Sequence, residues 1–96
     1  MIYSFHPEAE SEFLKAIEYY ESKEKGLGYD FALEIYSTIE RILAHSQAWP
    51  LVDENIRRSI VRRFPFGVLY SQLEEEIFIV AIMNLNRDPD YWKDRV

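Results

Sequence analysis

I-R-R-S-I-V-R-R-F-P-F-G-V-L-Y, residues Ile56 to Tyr70, is the stretch on which the fold depends. Pro65 and Gly67 interrupt two runs rich in β-branched and aromatic residues. That pattern predicts two strands joined by a Phe64-Pro65-Phe66-Gly67 turn. The first run holds four arginines between Arg57 and Arg63, in a chain whose formal net charge is -6. Side chains alternate along a strand, so neighbouring arginines face opposite sides. Ile56, Arg58, Ile60, Arg62 and Phe64 form the more apolar set, which assigns them to a helix-covered face. Arg57, Ser59, Val61 and Arg63 then lie on the open face, with Arg57 and Arg63 as its cations. Arg58 and Arg62 are expected at the margin, stems buried and heads reaching acids on the helices.

Upstream, Ile2 to Phe5 reads as a short strand. Pro7 with Glu8, Glu10 and Glu12 suits a helix start, where free N–H groups carry partial positive charge. Ala9, Phe13, Ala16, Ile17 and Tyr20 recur at helical spacing, predicting a helix from about Pro7 to Ser22. Gly26 and Gly28 are expected to end it and form a tight turn. A second stripe (Ala32, Ile35, Ile39, Ile42, Leu43) predicts a helix from about Tyr29 to His45, antiparallel to the first. Ser46 to Asn55 is read as a loop, with Trp49-Pro50 plugging the end of the core. Three strands follow, about Ile56–Arg63, Phe66–Leu73 and Glu76–Asn84. The expected fold is therefore α+β, in the order β-α-α-β-β-β. A helical hairpin packs on one face of a small, mostly antiparallel sheet, in a single domain spanning 1–96.

In the last strand, Ile77, Ile79, Ala81 and Met83 alternate with Phe78, Val80 and Ile82, so both faces are apolar. The helices cover one. The C-terminal tail, a second copy or a partner must cover the other.

Composition narrows the function. Residues 1–54 carry four Lys/Arg against eleven Asp/Glu, net -7, and residues 55–96 carry seven against six, net +1. So acidic a chain is a poor general binder of nucleic acid, which rewards accumulated positive charge. There is no cysteine, and His6 and His45 are far apart in sequence, so no metal site and no cofactor is expected. His6 is read as a capping residue and His45 as closing the second helix. No signal peptide or membrane-crossing segment is expected, which makes the cytoplasm the default location. Of Tyr91 and Trp92, one is expected to pack the tail onto the sheet and the other to dock a partner.

F-H-P-E-A-E at 5–10, G-L-G at 26–28, A-W-P at 48–50, V-R-R-F-P-F-G-V-L-Y at 61–70 and R-D-P-D-Y-W at 87–92 occur in this order over nearly the whole chain. On these pieces the chain resembles the RelE/ParE superfamily of bacterial type II toxin–antitoxin toxins. It is most similar to the ParE-like branch, which includes plasmid stabilisation system proteins. The resemblance implies a small toxin neutralised by a cognate antitoxin, with DNA contacted only through the antitoxin complex. A homodimer is one arrangement left open. RelE-like members cleave mRNA on the ribosome without a metal, whereas characterised ParE-like members poison DNA gyrase. A RelE-type nuclease site would here comprise Arg63, Arg87 and Tyr91. Partner contact would fall on Arg57, Arg63, Arg87, Tyr91 and Trp92. The chain departs from the nuclease pattern twice. Gly67-Val68-Leu69-Tyr70 lacks the basic residue expected at the start of that strand, and Asn84 stands where a histidine is common. The resemblance therefore favours inhibition of a protein target such as gyrase. An mRNA endoribonuclease and a non-toxic regulatory relative are the alternatives. An antitoxin segment is expected on the open, apolar side of the sheet.

Overall fold

Pro7 opens helix α1 (Pro7–Lys23) at its first turn, and His6 caps it: His6 Nδ1 accepts a hydrogen bond from the Glu8 N–H at 3.0 Å. Helix α2 (Leu27–Ala44) returns antiparallel beside α1. In this computed structural model, which describes residues 1–96, α1 is preceded by strand β1 (Ile2–Phe5). After α2 come β2 (Leu51–Asp53), β3 (Ile56–Ile60), β4 (Phe66–Leu73) and β5 (Glu76–Asn84). The five strands form one sheet in the order β1-β5-β4-β3-β2, with β1 parallel to β5 and the other pairs antiparallel.

The expected α+β architecture and the helical hairpin are both present. Strand β2 is an addition to the predicted order, lying within the stretch read as a loop. The glycines also act differently from expectation. Gly26, at φ 89°, precedes α2 as its N-cap, and Gly28 lies inside the helix. Gly26 has no side chain to cap α2. The Glu21 carboxylate of α1 does it instead, accepting from Gly26 N at 3.0 Å and Gly28 N at 3.0 Å. A Cβ at Gly28 would stand 2.6 Å from the Ile17 carbonyl oxygen, so glycine is what lets the two helices approach this closely.

One core fills the space between helices and sheet, with Phe13, Phe31, Ile35, Ile39, Phe64, Phe66, Val68 and Ile79 all buried. Phe31 is its centre, with ring centroids at 5.1 Å from Tyr20, 5.1 Å from Phe64 and 4.9 Å from Phe66. Stacked and edge-on pairs of this kind add about 0.5–1.5 kcal/mol each beyond area burial. A second, smaller core lies on the opposite face: Ile56, Leu69, Val80, Ala81, Met83 and Trp92. Its cover is the chain's own C-terminal tail, whose last turn is a 3-10 helix at Lys93–Arg95. The second apolar face is therefore not left open for an antitoxin segment.

Two face assignments are corrected. In β3, Arg57 pairs with Tyr70 and Ser59 with Val68, both helix-side residues, so Arg57 and Ser59 face the helices and Ile56, Arg58 and Ile60 face away. The prediction failed because β3 stops at Ile60. Val61 to Pro65 form a turn, with Arg63 at φ 70°. Phe64, which weighted the even set towards the helices, enters the core from that turn and not from the strand. Arg58 and Arg62 do not reach the helix acids, since neither forms an ion pair. Arg58 instead lays its stem over Gly67, where a Cβ would meet its Cγ at 3.1 Å. In β5, the register shifts between Leu69↔Ala81 and Tyr70↔Ile79. The bulge puts Val80 and Ala81 on the same face, so Ile77, Ile79 and Ile82 face the helices while Phe78, Val80, Ala81 and Met83 face the tail.

Candidate partner-binding site

β1 is shorter than its neighbour. It ends at Phe5, opposite Ile79, and the His6 N–H closes the ladder on the Ile79 carbonyl at 2.8 Å. From Val80 to Asn84, β5 has no strand on that flank. Bare strand edges need partners for their main-chain groups. Here two side chains serve. Glu12 of α1 accepts from the Ile82 N–H at 3.0 Å, and Arg95 of the tail donates to the Val80 carbonyl at 3.1 Å.

Glu12 gathers more than that. Tyr91 donates its hydroxyl to Glu12 Oε2 at 2.6 Å, and Arg95 holds both carboxylate oxygens at 2.9 Å with its two Nη atoms. Arg87 Nη1 stands 3.8 Å from the same carboxylate, and its guanidinium lies 3.8 Å from the Tyr91 ring centroid. The Glu12 and Arg95 side chains are 15% and 7% exposed, whereas that of Arg87 is 55% exposed. The outcome is a partly buried, bidentate ion pair with one cation presented above it on an aromatic ring. Burial, followed by the hydrogen bond to Glu12, raises the Tyr91 phenol well above its ordinary value. It stays neutral and donating. The bond to Glu12 chiefly raises the Arg95 pKa as well.

Beside this cluster, α1 and the bare edge of β5 enclose a groove of about 280 Å³. Ala16, Tyr19, Tyr20, Phe66 and Ile82 make its apolar wall, and Lys15 and Arg87 stand at the same groove. The chemistry offered is binding: an apolar slot, an incomplete strand edge and two cations, Lys15 of α1 and Arg87 of the tail, beside the Glu12 carboxylate.

The structure brings Arg87 and Tyr91 together and separates them from the other expected site residues. Arg63 sits in the β3–β4 turn, paired with Asp30 of α2 at 3.6 Å, over the Phe64 ring. Arg57 is not an open-face cation. It faces the helix side beyond the end of α2, where its Nη1 donates to the Trp49 carbonyl at 2.6 Å. Trp92 is 1% exposed, donates through Nε1 to the Pro89 carbonyl and seals the second core, so its indole offers no surface to a partner. The division of labour expected between Tyr91 and Trp92 thus assigns packing to Trp92. Sequence reasoning missed Glu12 and Arg95. Glu12 did leave a trace, since it falls between Ala9 and Ala16 at spacings of three and four, an acid inside the apolar stripe. Arg95, near the chain end, left none. No group of three His, Cys, Asp or Glu side chains is placed to hold a metal ion, and no helix is long and apolar enough to cross a membrane.

Residues 3–89 match the family model described as the ParE toxin of the type II toxin–antitoxin system parDE. Among solved structures, a chain from "Chromosomal ParDE TA system from P. aeruginosa" superposes with a TM-score of 0.62 at 19% identity, covering 90% of this chain and 97% of its own. At that identity the likeness speaks for the fold. No curated protein sequence matches.

Proposed function

Because this chain belongs to the ParE toxin family of type II toxin–antitoxin systems, we propose that it acts in the cytoplasm by binding and inhibiting a protein target such as DNA gyrase, and that a cognate antitoxin neutralises it. The observation that carries the choice of binding over RNA cleavage is the state of Tyr91. Cleavage without a metal needs a base for the 2′-hydroxyl, charge on the phosphorane and an acid for the leaving oxygen. Tyr91 is tied to Glu12 with its pKa raised, which makes it a poor acid and a poor base. Arg87 supplies charge only, because a guanidinium does not titrate in the useful range. Arg63, the third member of the nuclease set, pairs with Asp30 instead. The strand that should supply a further cation has Val68 and Leu69 buried in the two cores.

The site supports a place for the antitoxin. With the second sheet face covered by the tail, the groove between α1 and the bare β5 edge offers apolar walls, Lys15 without an ion pair, and Arg87, which is 55% exposed beside Glu12. An antitoxin segment there would present apolar side chains to Tyr19, Tyr20 and Ile82 and an acid to Arg87. Contact with DNA is assigned to the antitoxin.

The deciding experiment is a supercoiling assay with purified toxin, run beside a ribosome-dependent mRNA cleavage assay. Loss of gyrase activity, relieved by adding the antitoxin, is expected. Cleaved mRNA with unaffected gyrase would replace this function with the nuclease one. Unaffected growth on expression without antitoxin would leave only the regulatory role.

A further inference from the structure

Helix α2 ends at Ala44, before the far ends of β3 and β4, and its departure leaves an open polar cavity of about 380 Å³. Arg57, Tyr70 and Gln72 form its helix-side floor, and Gln47, Leu51 and Asn55 stand around them. This cavity shares no lining residue with the groove at Glu12 and Arg87.

Its one cation is Arg57. Arg57 forms no ion pair, although the chain has 17 acidic residues to 11 basic ones. One bond, from Nη1 to the Trp49 carbonyl, fixes the guanidinium. A guanidinium has five N–H donors in a planar fork, so the remainder are free for a planar oxyanion. Glu74 also lines the cavity but is not within ion-pair distance of Arg57. Tyr70 does not compete as an anion. Its hydroxyl donates to the Ser46 carbonyl at 2.6 Å, and burial pushes its pKa up to about 12.

The surroundings specify what carries the oxyanion. Gln47, Asn55 and Gln72 bring carboxamides, which offer the same donor and acceptor pair as a peptide group. Leu51 is 57% exposed and belongs to β2, the last strand of the sheet, which has a neighbour on one side only. Arg57 is the register partner of Leu51 and is held at the Trp49 carbonyl just before β2, so its guanidinium lies beside an edge strand, a layout able to capture an extended chain by its terminal carboxylate. A single cation near a glutamate suits a monoanion better than a phosphate dianion. We propose that this cavity binds the C-terminal carboxylate of an extended peptide, with the residues before it lying along the open flank of β2. This goes beyond the toxin function and does not depend on it.

The test is a titration of the isotope-labelled full chain, followed by amide NMR, with the neutral-bodied peptide acetyl-Ala-Val-Ala-Leu as free acid and as C-terminal amide. The free acid should shift amides in residues 47–57 and 70–74, with affinity at least about tenfold above the amide's. Arg57→Gln should remove that preference, and Arg62→Gln should keep it. The comparison of acid with amide on the unmodified protein requires no variant to fold. Equal binding of acid and amide, no shift at these residues, or inorganic phosphate binding as tightly as the peptide would each overturn the proposal.

Discussion

Glu12 shows how much one side chain can hold. Its carboxylate satisfies a main-chain N–H of β5, neutralises Arg95 and fixes Tyr91. Replacing it with alanine removes one charge and leaves Arg95, 7% exposed, with only the exposed Glu8 carboxylate at 3.7 Å as its ionic partner. Breaking a fully buried pair from one side costs about 3–5 kcal/mol, but this pair is partly buried and Arg95 keeps Glu8. Glu12→Ala should therefore lower the stability read by urea unfolding by about 1.5–3 kcal/mol, whereas Arg87→Ala, at an exposed site, should lower it by under about 1 kcal/mol. If Arg87 serves the partner, its loss will appear in antitoxin affinity instead. The tyrosines add a pH dependence. Tyr20, Tyr70 and Tyr91 all have raised pKa values in the fold, each chiefly by burial. Above pH 10 the unfolded chain loses these protons before the folded chain does. Their contribution is complete below pH 10 and is lost as pH rises through the folded values, for Tyr70 between about 10 and about 12. Absorbance titration should show late-ionising phenols in the native protein, and unfolding free energy should fall across that range.

At the scale of elements, helices and long strands were readable because each carries a period. The stripes of α1 and α2 and the runs of β4 and β5 are long enough for 3.6 or 2 to emerge. β2 has three residues, Leu51–Asp53, too few to show alternation, and it exists because β3 offers it a pairing flank. The faces of β3 were misassigned because a strand of five residues was taken as eight. The bulge at Val80–Ala81 left no mark, because both faces of β5 are apolar. Of the candidate site, Arg87 and Tyr91 were legible as a pair, while Arg95, Glu12 and the groove depend on long-range packing that no local pattern encodes. The glycines carry predictions at this scale. Gly28→Ala must push α1 and α2 apart and disturb the Glu21 cap, costing about 1–3 kcal/mol. Gly26→Ala leaves the packing free but forces a left-handed alanine, costing about 1–2 kcal/mol. Thermal unfolding of the two variants should rank them in that order, and a tolerant Gly28→Ala would contradict the close approach of the helices.

The molecule as a whole is a sheet with two unlike covers. The helical hairpin covers one side with a large aromatic core. The tail covers the other with little more than Trp92, Leu85 and Tyr91. Trp92 accounts for most of the second cover. Trp92→Ala should cost about 3–5 kcal/mol and expose Leu69, Val80 and Met83, measurable as dye binding and concentration-dependent association. Removing residues 89–96 should do this and also free the Val80 carbonyl and the Glu12 carboxylate.

The pairing of β1 with β5, together with the bond from Glu12 to Arg95, has a consequence for synthesis. The first strand finds its neighbour, and Glu12 of the first helix its bidentate cation, only once β5 and Arg95 have been made. A nascent chain is made at about 5–20 residues per second, so the two halves of this ion pair are synthesised several seconds apart. Until β5 and Arg95 are made, β1 has no strand to join and Glu12 lacks its bidentate cation. Chains that stop before β5 should accordingly be open to proteases and unable to present the groove.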